Sequence, residues 1–153
     1  MDRKTVDMTK ITPMMKQYLE IKNQNEDLII FFRLGDFYEM FFDDAIKVSH
    51  ELELTLTGKS AGLEERIPMC GIPFHAANSY IDKLIENGHK IGIVEQLEDP
   101  KTAKGIVKRG IVQIVSSGTN MDSETIKAND FNYIASITET AYNYVISYAD
   151  VST

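Results

Sequence analysis

Apolar runs alternate along this chain with segments in which apolar residues recur every three or four positions. Leu28 to Leu34 is apolar and too short for a surface helix, so it predicts a buried strand. The Gly35-Asp36 pair suits a two-residue turn with positive φ at its first position, and Phe37 to Phe41 then returns as a second strand. Residues 28–41 are therefore predicted to form a β-hairpin.

Three segments are predicted to form helices, one from its start signal and two from their apolar spacing. Thr12-Pro13 marks the first start, because Thr can cap free amides and Pro needs no N–H there; this helix should reach about Asn25. The second begins with Asp43 and Asp44, where acidic residues favour a helix N-terminus. Its expected apolar face comprises Phe42, Ala45, Ile46, Ser49 and Leu52. The third has Gly88 placed as a left-handed cap, and its expected apolar face comprises Ala77, Tyr80, Ile81, Leu84 and Ile85.

The remaining segments predict further strands and loops. Strands are expected at Leu54 to Thr57, Ile91 to Leu97 and Ile106 to Val115, whereas residues 58–66 form a polar loop and residues 68–73 are rich in turns. After a linker with a short helix, residues 132–137 and 141–149 predict a hairpin turned at residues 138–140. The fold class is therefore α/β, a mixed β-sheet flanked by helices and followed by a truncated C-terminal β-hairpin.

Length and composition indicate one globular domain of ordinary size, or one domain plus a fragment of another. Of 153 residues, 43% are hydrophobic and 25% are charged, which is sufficient for a buried core. There is no apolar run of the roughly 20 residues that a membrane span needs, and the N-terminus does not resemble a signal peptide. A cytoplasmic protein without membrane contact is expected. Cys70 is the single cysteine, which excludes an internal disulfide framework and predicts a small core residue.

The charge balance argues against strong electrostatic binding of nucleic acid. The chain has 16 Lys and Arg against 23 Asp and Glu, giving a net charge of −7 and a pI near 4.9. One local basic concentration is expected on a solvated loop or at an edge that contacts a nucleic-acid backbone; it comprises Lys101, Lys104, Lys108 and Arg109. Tight DNA binding by these residues alone is not expected.

Two motifs suggest phosphate or metal chemistry. Gly58-Lys59-Ser60 resembles the end of a phosphate-binding loop, but Glu53 occupies the position where such a loop needs its first glycine. A metal-dependent nuclease is the alternative enzymatic function, and its carboxylates would be Asp36, Glu39, Asp43 and Asp44. No nearby Lys or His completes a nuclease site, so no catalytic or metal-binding residue is predicted.

Phe37-Tyr38-Glu39 is more informative. Side chains alternate along a strand, so Phe37 and Glu39 emerge on one face and Tyr38 on the other. This places an aromatic ring beside a carboxylate at the start of the returning strand. From the spacing alone, a core Phe37 with an ordinary surface Glu39 remains an alternative. A protein-interaction domain without DNA contact is also open, and it predicts that an exposed Phe37 faces a protein groove.

Four sequence blocks together resemble the N-terminal mismatch-recognition domain of the bacterial MutS family of DNA mismatch repair proteins. They occur in matching order and spacing over most of the chain. The blocks are Thr12 to Tyr18, Phe32 to Glu39, Ile67 to Ala76 and Glu95 to Pro100.

The resemblance implies a DNA-binding function. Phe37 and Glu39 align with the Phe-x-Glu motif of the family, so Phe37 is expected to wedge into the minor groove and stack on a mispaired base, to which Glu39 hydrogen-bonds. The implied ligand is mismatched or looped double-stranded DNA. Flanking contacts to the DNA are expected from Lys59, Arg66, Met69, His75 and Asn78.

The family also implies that this chain is a fragment. Residues 1–118 are expected to form the recognition domain, 119–130 a linker, and 131–153 the first hairpin of a truncated connector domain. The fragment itself is expected to need no cofactor and to have no enzymatic activity. The full-length protein is expected to bind and hydrolyse ATP with Mg through a C-terminal domain, to form a homodimer and to contact a downstream repair factor.

Overall fold

The computed structural model describes residues 3–99, 103, 105–117 and 133–150. Its helices are α1 (Pro13–Gln24), α2 (Phe42–Glu51) and α3 (Ala77–Glu86), with short 3₁₀ helices at Arg3–Thr5 and Phe74–Ala76. Its strands are β1 (Leu28–Leu34), β2 (Phe37–Phe41), β3 (Thr57–Lys59), β4 (Ile67–Pro73), β5 (Lys90–Gln96), β6 (Arg109–Val115), β7 (Tyr133–Glu139) and β8 (Tyr144–Asp150). In the part described, no helix is long and apolar enough to cross a membrane.

Six strands form one sheet in the order β3-β4-β2-β1-β5-β6. The β1–β5 pair is parallel and every other neighbouring pair is antiparallel, which makes the sheet mixed. Strands β7 and β8 form a separate antiparallel hairpin. The predicted α/β fold class, with its C-terminal hairpin, is therefore confirmed.

The sheet has a hydrophobic core on each face. One core joins β-strand side chains such as Phe31 and Tyr38 to α2 and α3, and the other joins Phe32 and Phe41 to α1. Because β1 lies in the middle of the sheet, its side chains are buried on both faces, which explains its continuous apolar sequence. Cys70 is buried in the first core, as predicted, and burial raises the pKa of its thiol to about 12.

A buried ion pair connects α1 to α2. The Lys22 ammonium lies 2.9 Å from Asp44 Oδ1, and both side chains are less than 10% exposed. Asp44 Oδ2 accepts hydrogen bonds from the Ile30 N–H and the Tyr18 hydroxyl. Asp43 and Asp44 lie in the first turn of α2 as predicted, and the Asp44 carboxylate also turns inward and contacts both α1 and β1.

The three helices lie where they were predicted, but the cap of α1 and the buried face of α2 differ from the prediction. Thr12 precedes α1 as expected, but its hydroxyl makes no cap hydrogen bond. The expected apolar face of α2 was wrong at Ile46, which is exposed, whereas Val48 is fully buried. Gly88 ends α3 with φ +84, and its N–H donates to the Ile85 carbonyl over 2.8 Å. This left-handed cap is as predicted.

Several strand predictions need correction. Residues 67–73 form β4 rather than turns; Pro68 lies near its start and Pro73 at its end, where a missing N–H is tolerated. The strand expected at 54–57 begins only at Thr57 and extends through Lys59. In the C-terminal hairpin the turn lies at residues 140–143, because the Thr140 hydroxyl and backbone pair with Asn143. Strand β6 begins at Arg109.

Two predicted segments lie outside the described residues. These are the linker at 119–130 and the loop positions Lys101 and Lys104.

Candidate nucleic-acid interface

The tip of the β1–β2 hairpin is a two-residue turn. Gly35 has φ +58, a left-handed value that glycine adopts without strain, and Leu34 pairs with Phe37 across the turn. The Asp36 carbonyl accepts the Phe74 N–H at 2.9 Å, which ties the turn to the segment after β4. The hairpin tip therefore has a fixed position relative to the sheet.

Strand β2 presents alternate side chains to different environments. Tyr38 is only 7% exposed and Met40 is fully buried, both in the core beneath α2 and α3. Phe37 points to the opposite face and is 47% exposed, whereas Phe41 on that same face is fully buried against α1. The alternative that Phe37 belongs to the core is therefore wrong. The face is covered at the Phe41 end and open at the Phe37 end.

Glu39 lies between these two aromatic residues and forms an ion pair with Lys59. Lys59 Nζ is 2.5 Å from Glu39 Oε2, and the side chains of Lys59 and Glu39 are 28% and 17% exposed. The ammonium also lies 5.6 Å from the centroid of the Phe41 ring, within the range of a cation–π contact. Lys59 belongs to β3 and therefore reaches across the intervening strand β4.

Gly71 lies beside Glu39 on the neighbouring strand β4. It pairs with Glu39 in the β2–β4 ladder, and a Cβ at this position would contact Glu39 Cγ at 3.5 Å. This is an ordinary van der Waals distance, so an alanine at residue 71 would not displace the Glu39 side chain. Because Gly58 and Lys59 both lie on strand β3, the segment is not a phosphate-binding loop before a helix.

A network on the opposite face supports the hairpin. Arg33 donates from Nε to the Gly35 carbonyl, and its guanidinium lies over the Phe74 ring. It also lies 3.5 Å from Glu95 Oε1, which accepts the Tyr38 hydroxyl hydrogen bond. Burial, with the Glu95 carboxylate next, raises the pKa of Tyr38 to about 12, so its hydroxyl stays protonated and donates.

The other predicted site residues lie in different parts of the fold. Met69 pairs with Phe41 and shares the face of Glu39 and Lys59. Arg66 is exposed beside Gly58 at the start of β4. His75 and Asn78 are exposed where the chain enters α3.

Sequence reasoning missed the supporting roles of Arg33, Phe74 and Glu95. Their signal was present, because all three belong to the blocks that carried the family resemblance. Arg109 begins the edge strand β6, within the strand predicted for residues 106–115, and its guanidinium lies 5.4 Å from the Phe32 ring centroid. Its Nε donates to the Arg33 carbonyl at 2.9 Å, and partial burial lowers the pKa of its guanidinium.

The acidic residues near the hairpin do not form a common site. Asp44 is buried with Lys22, Glu39 is paired with Lys59, and Asp43 is exposed on α2. Within the described residues, no group of three or more His, Cys, Asp and Glu side chains could hold a metal ion. The nuclease alternative has no support in this arrangement.

The comparisons with known proteins agree with one another. A family model described as MutS domain I matches residues 12–124. A protein of Clostridioides difficile (strain 630) called DNA mismatch repair protein MutS is 57% identical over 97% of this chain and 16% of its own length. Proteins of the same name from Listeria welshimeri and Alkaliphilus oremlandii are 57% and 54% identical over 95% of this chain and 17% of their own length. The chain spans about a sixth of these relatives.

Proposed function

The chain belongs to the MutS family of DNA mismatch repair proteins, and on this basis we propose that it is a module that binds mismatched or looped duplex DNA. In this proposal Phe37 enters the minor groove as a wedge and stacks on the mispaired or unpaired base. Glu39 accepts a hydrogen bond from that base. The module binds DNA and performs no catalysis itself.

The proposal depends on one observation: Phe37 is exposed on a hairpin whose turn is held by contacts with Phe74. A large aromatic side chain at a tight turn, 47% exposed, is available to an external partner without unfolding of the domain. Inserting such a ring between bases costs a few kcal/mol of stacking, and a mismatch has already lost part of that energy. The wedge therefore selects deformable sites in the duplex more than particular bases.

Glu39 supplies a second selection step. A carboxylate near phosphates is unfavourable unless it finds a hydrogen-bond donor, and a matched base pair hides its donors within the pair. Glu39 leaves β2 on the same face as Phe37, so both side chains meet the same step of the duplex. The pair then favours mispaired bases over matched ones.

Flanking residues orient the duplex in this proposal. Arg66, His75 and Asn78 are exposed polar side chains that contact phosphate or sugar, and Met69 provides apolar contact beside Glu39. Lys59 also lies at this surface, with its charge balanced by Glu39. Such contacts fix register without reading sequence.

The whole protein contributes the remaining functions. We propose that it works in the bacterial cytoplasm as a homodimer, binds and hydrolyses ATP with Mg outside this chain, and passes the signal to a downstream repair factor. The net charge of −7 agrees with this division, because an acidic module gains little from phosphate attraction. The additional domains therefore supply most of the DNA affinity.

Equilibrium binding to matched and mismatched duplexes tests the proposal. The native protein that contains this chain should bind a duplex with a G·T pair or one unpaired thymine more tightly than its matched counterpart at fixed salt, measured by fluorescence anisotropy. Equal affinity for all three duplexes would overturn it. Equal affinity, together with a partner protein that buries Phe37 in a groove, would favour the protein-interaction alternative.

A further inference from the structure

The Glu39–Lys59 pair has a geometry that leaves one carboxylate oxygen open. Lys59 Nζ contacts Oε2, and within the described residues Glu39 Oε1 has no hydrogen-bond partner. The charge of Glu39 is thus balanced while one acceptor oxygen remains for another donor. A carboxylate held in this way differs from the bare surface acid that the sequence suggested.

Two other contacts hold Lys59 in this position. Its ammonium lies 5.6 Å from the Phe41 ring centroid, and its strand is fixed by the Lys59–Ile67 pairing with β4. Phe41 is fully buried, so the ring provides a rigid floor beneath the ammonium. These contacts keep the cation next to Glu39 even when a negatively charged duplex approaches.

We propose that Lys59 is a specificity-determining residue that acts through Glu39, an inference that rests on the proposed function. Lys59 neutralises Glu39 as the domain approaches the phosphates, and the open Oε1 accepts the hydrogen bond from a mispaired base. Without Lys59, the bare carboxylate is repelled by every duplex. A mismatch offsets part of this repulsion by donating to Glu39, whereas a matched duplex does not. Lys59 therefore sets how much affinity for matched DNA the protein retains.

A double-mutant cycle in the native protein tests this role. Lys59→Met keeps the aliphatic stem and removes the charge, so it should weaken binding to matched duplex by roughly fivefold to tenfold, with a smaller loss for a G·T duplex. In a Glu39→Gln background, Lys59→Met should change either affinity by less than about twofold. Lys59→Arg should retain near-native binding, because it keeps the positive charge beside Glu39.

Lys90→Met is the matched control. Lys90 forms an exposed ion pair with Asp27 at 3.2 Å at the start of β5, so its loss removes the same charge and should leave the ratio of affinities unchanged. Thermal unfolding of each variant checks the fold. If Lys59→Met unfolds the domain, the same cycle is measured with Lys59→Gln, whose amide can hydrogen-bond to Glu39.

Equal weakening by Lys59→Met with and without the Glu39→Gln substitution would overturn the inference, because Lys59 would then contact DNA without Glu39. This outcome is distinct from a failure of the proposed function. If the proposed function fails, neither the unmodified protein nor any variant at position 59 prefers mismatched DNA.

Discussion

The guanidinium carbon of Arg33 lies 3.7 Å from the centroid of the Phe74 ring, a close cation–π contact. Arg33 is on β1 and Phe74 follows β4. This contact therefore joins the tip of the β1–β2 hairpin to the segment after β4. The Arg33 Nε hydrogen bond to the Gly35 carbonyl holds the turn from within. The stack and the hydrogen bond together hold the turn that immediately precedes Phe37.

Arg33→Met should loosen the tip while leaving the sheet intact. Loss of the cation–π contacts with Phe74 and Tyr38, the hydrogen bond to Gly35 and the ion pair with Glu95 should lower the free energy of unfolding by about 1–3 kcal/mol. The Phe74 amide, which donates to Asp36, should exchange faster with solvent in hydrogen-exchange measurements. Lys90→Met serves as the surface control. Unchanged exchange at Phe74 would show that the turn does not depend on Arg33.

Phe37→Ala should abolish the preference for mismatched DNA in the native protein, because the wedge is removed. The free energy of unfolding should change by less than about 1 kcal/mol, since the ring is half exposed. Phe41→Ala, on the same strand and face, is the matched contrast. It should cost roughly 3–5 kcal/mol, because Phe41 is fully buried. A retained preference in Phe37→Ala would remove the wedge from the proposal.

Glu39→Gln should bind matched duplex more tightly than the unmodified protein. The substitution removes the carboxylate charge that is repelled by the phosphates of a matched duplex. Discrimination between matched and G·T duplexes should fall as a result. The measurement is fluorescence anisotropy at two salt concentrations, since the gain should shrink as salt screens the charges. Weaker binding to matched DNA would contradict this prediction.

Asp44→Asn should strongly destabilise the domain. Lys22 would remain as a buried cation without its partner, and breaking such a pair costs about 3–5 kcal/mol. Asp43→Asn is the control, because Asp43 is exposed in the same helical turn and should lose less than about 1 kcal/mol. Urea denaturation of both variants compares the two costs directly. Similar midpoints would show that the ion pair contributes little.

Glu51 should make stability depend on pH in the acid range. Partial burial acts to raise the pKa of Glu51, but hydrogen bonds from Asn87 and His89 outweigh it and lower the pKa below 4.5. The stabilisation is therefore present above the unfolded-state pKa and is lost as the pH falls through the lower folded-state pKa.

A comparison of Glu51→Gln with the unmodified protein measures this contribution. The variant should be less stable at pH 7, and the difference should disappear as the pH falls well below 4.5. Glu53→Gln, at an exposed neighbouring position, should follow the unmodified protein throughout. A constant difference for Glu51→Gln at all pH values would exclude the ionised carboxylate as its source.

Local patterns were sufficient for the central hairpin and for the positions of the helices. The apolar run of β1, the turn at Gly35 and the cap at Gly88 each depend on neighbouring residues, so the sequence contains the information directly. Strand β4 was missed because Pro68 and Pro73 suggest turns, whereas its pairing with both β2 and β3 is a tertiary effect.

The electrostatic contacts could not be predicted in the same way. Lys59 meets Glu39 across an intervening strand, and Lys22 meets Asp44 between two helices. Both pairs join residues about twenty positions apart, and their partners depend on how the elements pack. The resemblance identified Phe37 and Glu39 without revealing what holds either of them.

The length of the turn at Gly35 and Asp36 constrains how this region can evolve. Substitutions at Gly35 or Asp36 change how readily the turn forms, whereas insertion or deletion of one residue shifts the register of β2 by one position. Such a shift would carry Phe37 towards the core and bring Tyr38 to the surface. The region should therefore tolerate changes of amino-acid type at Asp36 far better than changes of length.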